Sequence, residues 1–454
     1  VKAASLLASA AILAAAPLSA RTWRVGGPGA DFPLIAPAIA AAAPGDAVVV
    51  AAGVYREDLA IDKPLAIRGE GMPVLMGTGQ GTVIDVSAPG CEIRGLSIEE
   101  SGTGLSGRMD AGVHLASGRN VVAGNRFRRV FYGVVSEAGA DNRVEGNVVE
   151  GFSGEPFGRR GDGVYFYRSP RGVIDGNTIR GMRDAIYLQY APGTLVSRNA
   201  VSDSRYGLHD MFTDGARFVG NVFRGCSVGA NIMNCRKVEI RGNRFVRNRG
   251  IASAGLSFKE CDESRVEDNE FSDDVRAVQI EGSSRNRFAG NRFLFNDTAV
   301  HLFASAEENV FTGNAFDGNL TPVVISGGAS STRWSEGGRG NWWSGYRGLD
   351  FDGRGTGREP QPVASAFSRI EGNNPAARLF LASPAAAALD FAASSVVPEE
   401  DGAVDRAPLA RRPDSRRAGR RRTAAPGLAA FVFAGAVIAW RGPRARSPRR
   451  GSAR

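Results

Sequence analysis

The sequence predicts an all-β fold, a right-handed parallel β-helix with a short N-terminal capping helix, and three observations carry that expectation. First, Gly-Asn or a near variant recurs with its asparagine at Asn125, Asn147, Asn177, Asn199, Asn221, Asn243, Asn269, Asn291 and Asn314, most often 22 residues apart. Second, an apolar residue holds a fixed place two positions after the asparagine, as in Phe127, Val149, Ile179, Phe223, Phe245, Phe271, Phe293 and Phe316. Another stands three positions before it, as in Val122, Val144, Ile240, Val266, Phe288 and Phe311. Third, the segments between these marks are short, rich in Val, Ile and Phe, and separated by Gly, Asn, Asp and Ser, the pattern of strands joined by turns. A leucine-rich repeat would need a leucine framework that is missing, and helical repeats are longer and amphipathic. About three short strands per coil fit the period, with each coil rising by one strand spacing, ~4.8 Å. Asparagines at equal phase would then stack into an internal ladder at a tight turn, the preceding glycine easing the bend.

The elements follow in order. Residues 1–20 read as a signal peptide: Lys2 is the basic start, Ala3 to Ala16 the short apolar stretch, and Pro17 to Ala20 a small-residue cleavage site. Export implies an oxidising compartment, most simply a bacterial periplasm. Residues 21–375 are assigned to the β-helix. Leu34 to Ala43 is a short apolar helix placed to cap the open first coil, which otherwise exposes core and strand edges. Pro44-Gly45-Asp46 turns the chain into Ala47–Ala51, and Leu65–Arg68, Val83–Val86 and Arg94–Ile98 continue the coils. After Asn314 the pattern decays into a stretch rich in Gly, Arg, Ser and Trp that contains Asn341-Trp-Trp-Ser-Gly-Tyr346. Residues 376–397 are expected to form a helical segment near the end of the rod. Residues 398–454 read as a basic, mostly disordered tail. Within it, residues 424–440 are apolar, at the short limit for a membrane span, so an anchored and an unanchored tail both remain open.

Charge narrows the partners. The formal net charge is +9, and residues 399–454 account for all of it, with 14 arginines against 5 acids. The body carries no net basic field, which argues against nucleic acid as a partner. The four cysteines form no CxxC motif and no dense disulfide framework.

One strand per coil presents its alternate residues outward. The first outward column reads His114, Val135, Tyr165, Tyr187, His209, Asn231, Ser257, Gln279 and His301. The second reads Glu137, Tyr167, Gln189, Met211, Met233, Lys259, Glu281 and Phe303. The candidate binding surface is Tyr165, Tyr167, Tyr187, His209, Met211 and Met233, because aromatics and methionines clustered on a solenoid face suggest a contact surface. Within it His209, Met211 and Met233 form a candidate metal site. Two thioethers at one phase in adjacent coils, with an imidazole two residues away, are a soft set suited to Cu(I); an adaptable protein-contact patch is the other reading. No cofactor is required by either. Asp210 breaks the alternation: its phase is inward, which implies a distorted strand or a buried partner. Cys235 and Cys261 share a phase held elsewhere by Ser117, Ser169, Thr213 and Ser283, which favours a ladder of small side chains over a disulfide.

These residues carry a family resemblance. Arg183-Asp-Ala-Ile-Tyr187, Arg205-Tyr-Gly-Leu-His-Asp-Met-Phe212, Gly229-Ala-Asn-Ile-Met233, Gly340-Asn-Trp-Trp-Ser-Gly-Tyr346 and Leu379-Phe-Leu-Ala-Ser-Pro384 resemble the NosD family across about residues 21–395. The resemblance implies a non-enzymatic periplasmic role in maturing nitrous oxide reductase. It implies as partners the ATPase and permease subunits of an ABC transporter, together with the reductase or a copper chaperone, in assembling a copper–sulfur centre. The chain departs from the family where Asp210 replaces an aromatic and Phe212 a tyrosine. The Asp350–Gly357 segment also carries fewer acids than usual. The main alternative is a carbohydrate-active β-helix enzyme, a lyase, hydrolase or epimerase. That chemistry needs convergent carboxylates, yet the outward columns offer only Glu137 and Glu281, roughly 30 Å apart at one strand spacing per coil. Asp162, Asp273 or Asp274 would have to supply the rest. A passive adhesin or scaffold is a third class.

Overall fold

The computed structural model describes residues 20–104, 109–151, 154–250, 252–393 and 403–413. The expected signal segment, apart from Ala20, and the 424–440 run lie outside the described residues.

The chain winds into a parallel β-helix whose three faces are sheets of 13, 12 and 13 strands. One rung shows the design. Arg217–Val219 and Val222–Arg224 flank Asn221 at a corner, and Val228–Met233 forms the third, longer side. All three pair in parallel with the rung above, so that Phe218 meets Ile240, Phe223 meets Phe245 and Ile232 meets Phe258. The apolar residue two places after each asparagine therefore becomes a column. Phe223, Phe245, Phe271, Phe293 and Phe316 stack at centroid distances of 4.6–5.2 Å, and Trp343 closes the column at 4.1 Å. These rings are buried, and offset stacking adds about 0.5–1.5 kcal/mol per pair beyond the area each one hides.

The asparagines form the expected internal ladder. Asn221 donates its backbone N–H to Asn243 Oδ1 at 2.8 Å, and its Nδ2 reaches the same oxygen at 3.0 Å and Val196 O at 2.9 Å. The ladder runs one rung further than the nine repeats, because Asn341 receives Asn314 at 2.8 Å.

The ends depart from the expected boundaries. At the N-terminal end the helix is Ile35–Ala41, burying Ile35, Ala38 and Ile39. The Glu57 carboxylate accepts the N–H groups of Ile35 and Ala36 at 2.8 and 2.9 Å, filling the cap that no local side chain supplies. At the other end the last rung strand is Trp342–Trp343, not a strand near 375. Helical structure starts at Ala366, ten residues before the expected 376, because Ser365 caps that turn through Ser368 N–H at 3.1 Å. A 3-10 turn, Pro375–Phe380, and a helix, Pro384–Ala393, follow.

Residues 403–413 correct the reading of a tail beginning at 398. Val404–Asp405 pairs antiparallel with Gln361–Pro362. Asp405 is buried and accepts Asn341 N–H at 2.7 Å and Trp343 Nε1–H at 3.0 Å. The last ladder asparagine has no next rung, and Asp405 stands in for one. Composition could not reveal this, since a single buried carboxylate does the work amid basic sequence.

A third corner carries a ladder of Asn248, Asp274, Asn296 and Asn319. Asp274 Oδ1 accepts both N–H and Nδ2 of Asn248, at 2.7 and 2.9 Å, but its buried Oδ2 has no hydrogen-bond partner among the described residues. Burial pushes this carboxyl up to about 8. The folded state therefore keeps a proton that the unfolded chain releases near pH 4, and stability falls between about pH 4 and 8 by up to about 1.4 kcal/mol per pH unit. Asp274→Asn removes the titration and supplies an amide donor like those of its neighbours. Thermal unfolding should show this variant more stable than the parent by a margin that widens from pH 5 to pH 8; a constant margin would contradict the assignment.

Candidate functional site

Four consecutive strands build the face: Val164–Tyr167, Asp184–Gln189, Tyr206–Met211 and Val228–Met233. Their register sets Tyr165 against Tyr187, Tyr187 against His209, and His209 against Asn231. The second column sets Tyr167 against Gln189, Gln189 against Met211, and Met211 against Met233. All six candidate residues thus lie on one stack, in the columns that alternation assigned them.

The face is not uniformly open. Val135 and Tyr165 point away from the rod yet are buried, in a small apolar cluster with Met109, Tyr132, Tyr167 and Tyr187. One member of the cluster, Met109, belongs to the connection before its strand, which alternation along a strand does not register.

The rings form a ladder of their own. Tyr165 stacks on Tyr187 at 4.7 Å and Tyr187 on His209 at 4.6 Å, both near parallel, and Tyr206 meets His209 edge-on at 4.8 Å. Buried acids hold the ladder from beneath. Asp184 accepts Arg205 through two bonds of 2.9 and 2.7 Å and contacts His209 Nδ1 at 3.0 Å. Burial opposes ionising Asp184, but the bonds from His209 and Arg205 outweigh it and hold its carboxyl below the usual range. One rung earlier Arg183 grips Asp162 at 3.0 and 2.8 Å. There burial, reinforced by the charge on Asp184, raises Asp162 to about 7. With Nδ1 of His209 committed to Asp184, Nε2 is the nitrogen left for a ligand, the arrangement in which a carboxylate orients a ligating imidazole.

The thioethers are also positioned. Tyr187 Oη–H has both Met211 Sδ at 3.5 Å and Gln189 Oε1 at 3.3 Å as acceptors, and Asn231 Nδ2–H donates to Met233 Sδ at 3.2 Å. Such bonds to sulfur are weak, so they order the side chains without fixing them. Two register-paired thioethers and an oriented imidazole on the same strand stack match a soft cation in donor type. Among the described residues no group of three or more His, Cys, Asp or Glu is placed to hold a metal, so any metal on this face would have to use the methionines.

The other two histidines serve differently. His114 bonds Asp85 at 2.7 Å and Glu137 at 3.4 Å, and the Asp85 bond raises its pKa despite burial. His301 bonds Ser326 at 2.8 Å, and burial beside Arg276 lowers it to about 4.

Directly behind the face, Asp210 sits in an undistorted strand between Leu188 and Ile232. It has a buried partner, since the Cys235 thiol approaches its Oδ2 at 3.5 Å while Oδ1 has none among the described residues. Burial, then Cys235, pushes the Asp210 carboxyl well above its usual range, so it sits neutral in the core. Cys235 and Cys261 extend a ladder of small side chains, with Thr213 N–H reaching Cys235 Sγ at 3.4 Å and Cys261 N–H reaching Ser283 Oγ at 2.9 Å. All four cysteines are buried free thiols.

Sequence reasoning missed a second aromatic pair. Tyr190 and Phe212 follow the two strands by one residue, stack at 5.0 Å with rings 9° apart, and are 44% and 39% exposed. Both are left-handed, with φ of 52° and 55°, at the turn position that Gly282 occupies in a later rung. Bulky side chains there are uncommon, and glycine would relieve the strain. Their 22-residue spacing, shared by Asp162 with Asp184 and by Arg183 with Arg205, was the available signal.

The fold and face define a solenoid that presents stacked aromatics and thioethers on one strand stack. A family model described as periplasmic copper-binding protein (NosD) matches residues 151–348, the stretch that holds this face. Two proteins named probable ABC transporter binding protein NosD, from Pseudomonas aeruginosa and Stutzerimonas stutzeri, are each 30% identical over 378 residues. They cover 80% of this chain and 88% and 86% of their own lengths. The chain belongs to the NosD family. Among solved structures, the Dettilon tailspike (TM-score 0.52, 14% identity, 64% of both chains) shares the fold. So does an α-1,3-glucanase catalytic domain bound to nigerose (TM-score 0.50, 12% identity, 62% of this chain and 61% of that one). Each spans less than two thirds of the neighbour's length, and at such identity the likeness concerns the fold alone.

Replacing Tyr190 and Phe212 together by glycine removes one stacked pair, about 0.5–1.5 kcal/mol, and relieves two left-handed positions, about 1–2 kcal/mol each. The unfolding midpoint should hold or rise. A drop of several degrees would mean that the pair is structural.

Proposed function

We propose that this protein is a periplasmic accessory factor for nitrous oxide reductase. In this reading it works with the ATPase and permease of an ABC transporter to assemble the reductase's copper–sulfur centre, with copper as cargo. The arrangement of His209, Met211 and Met233 carries the reading: an imidazole oriented by buried Asp184 shares its strand stack with two thioethers in register on adjacent rungs. His209 Nε2 and the two sulfurs would hold Cu(I). Arg205 locks Asp184, so the imidazole keeps its orientation whether or not the cation is present. Tyr187 and Asn231 release the sulfurs at the cost of weak bonds, which suits a carrier that must also give its cargo up. The exposed pair Tyr190 and Phe212, next to Met211, offers a partner apolar area that is already ordered. The names of the family and of its relatives, copper-binding and ABC transporter binding, support both halves of the reading.

Three of the acids that the carbohydrate-enzyme alternative called on are engaged elsewhere. Asp162 is buried under Arg183, Asp274 is inside a ladder, and Asp273 is paired with Arg247 and Arg249.

Under reducing conditions the protein should take up Cu(I), and Met211→Leu with Met233→Leu should weaken uptake by about 10–100-fold with unfolding unchanged. The Tyr190→Gly, Phe212→Gly variant should keep Cu(I) but lose co-purification with the transporter subunits and lower the copper content of the reductase in cells. A wild-type protein that takes up no Cu(I) would remove the cargo role and leave the face as a docking surface.

A further inference from the structure

Three departures from the repeat meet in the core behind the candidate site. Asp210 stands in register between Leu188 and Ile232, where the neighbouring rungs are apolar. Cys235 and Cys261 occupy, on adjacent rungs, a corner position that Ser117, Ser169, Thr213 and Ser283 hold elsewhere, and the Cys235 thiol lies 3.5 Å from Asp210 Oδ2. The residues that follow the two cysteines, Arg236 and Asp262, pair in parallel, and Asp262 N–H bonds Cys235 O at 3.0 Å. The cysteines are therefore direct neighbours across one strand spacing, ~4.8 Å, within the Cα separation of about 4.4–6.8 Å that a disulfide spans. Both are buried, and the thiols meet: hydrogen bonding with the Cys261 thiol, and then burial, push the Cys235 thiol up. Serine or threonine fills the same corner in other rungs, so the ladder accounts for the size of these side chains and not for their sulfur.

The pair lies at the end of the strand that carries the second thioether. Cys235 follows Met233 by two residues, and its thiol donates to Met233 O at 3.0 Å. One hydrogen bond and the Met233 side chain thus connect the Cys235 sulfur with the thioether that stands in register with Met211. A bulky disulfide has no access to buried thiols, whereas an electron crosses such a path without contact between the reactants. Thioether and imidazole ligands favour the cuprous over the cupric ion, which makes a cupric ion on this face an oxidant. Two thiols placed to join are a two-electron reductant.

We propose that Cys235 and Cys261 are a redox pair that reduces cupric ion to cuprous ion at the His209, Met211 and Met233 face. The inference rests on the copper reading of that face. Each thiol gives up one electron and one proton. Two S–H bonds break, one S–S bond forms between Cys235 and Cys261, two Cu(II) ions in succession become Cu(I), and two protons pass to solvent. The reaction is stoichiometric, one round per reduced pair, and leaves the cargo in the oxidation state that the thioethers hold.

The test adds Cu(II) to the reduced full-length chain in the absence of oxygen. The electron paramagnetic resonance signal of the cupric ion should disappear. After EDTA, unfolding and alkylation, two of the four cysteines should remain free, and a peptide map should join Cys235 to Cys261. Cys235→Ser with Cys261→Ser supplies the side chain that Ser169 and Ser283 place at this corner in other rungs, so the unfolding midpoint should hold. This variant should leave the cupric signal standing and still take up Cu(I) supplied with ascorbate. Met211→Leu with Met233→Leu should slow the reduction by about tenfold or more with the pair intact. Survival of all the thiols, a disulfide between other cysteines, or a serine variant that reduces Cu(II) at the wild-type rate overturns the proposal. A wild type that takes up Cu(I) from ascorbate yet leaves Cu(II) unreduced removes the redox pair and keeps the copper reading. A wild type that takes up no Cu(I) removes the copper reading, and the site of reduction falls with it.

Discussion

The molecule depends on how a buried corner of the solenoid satisfies its own backbone. A coil that turns inward at every rung buries N–H and C=O groups that no strand partner reaches, each a substantial cost if left unpaired. The asparagine ladder answers all of them at once. Each side chain receives two N–H groups from the rung before and caps a carbonyl such as Val196 O with its amide. The geometry tolerates no slip, because moving one rung by one residue would put an apolar side chain on the ladder and flip every strand residue to the opposite face. Longer coils must therefore place their extra residues away from the ladder. The 30-residue spacing before Asn177 is taken up by a segment that includes the turn Phe157–Arg159.

That locked register turns sequence phase into surface chemistry. Side chains 22 residues apart meet at one strand spacing, so Tyr165, Tyr187 and His209 become a stack, as do Tyr190 and Phe212. The same rule brings Asp184 under Arg205 and His209. A rigid scaffold of this kind can carry strain at its turns. Tyr190 and Phe212 sit in left-handed conformations at a turn position that Ala138, Arg168, Asn234 and Glu260 hold in the same way in other coils, so the fold sets the conformation and the residue type sets what is presented. The neutral carboxyl of Asp210 is the counterpart in the core, a polar group kept dry by Leu188 and Ile232 on either side.

The rod also has ends, and a carboxylate from elsewhere in the chain serves at each. Glu57 caps the N-terminal helix, and Asp405 accepts from Asn341 and Trp343 where the next asparagine would be.

The sequence by itself determined the coil, the ladder and the outward columns, because period and alternation are local properties that parallel stacking converts into contacts without further choice. Asn125 to Asn314, the phenylalanine column, and the shared stack of Tyr165, Tyr167, Tyr187, His209, Met211 and Met233 were all legible in that way. Tertiary structure alone decided what phase does not encode. Val135 and Tyr165, which alternation places in water, are buried in a cluster that Met109, Tyr132, Tyr167 and Tyr187 pack against. Asp184 chooses Arg205 and His209 one rung away, and so settles which histidine nitrogen is left for a ligand. Asp405 closes a ladder that ends 64 residues earlier in the chain. Each of these is a single contact between segments unrelated by the 22-residue period, or between neighbours whose side chains had several partners in reach, and only the folded geometry selects among them.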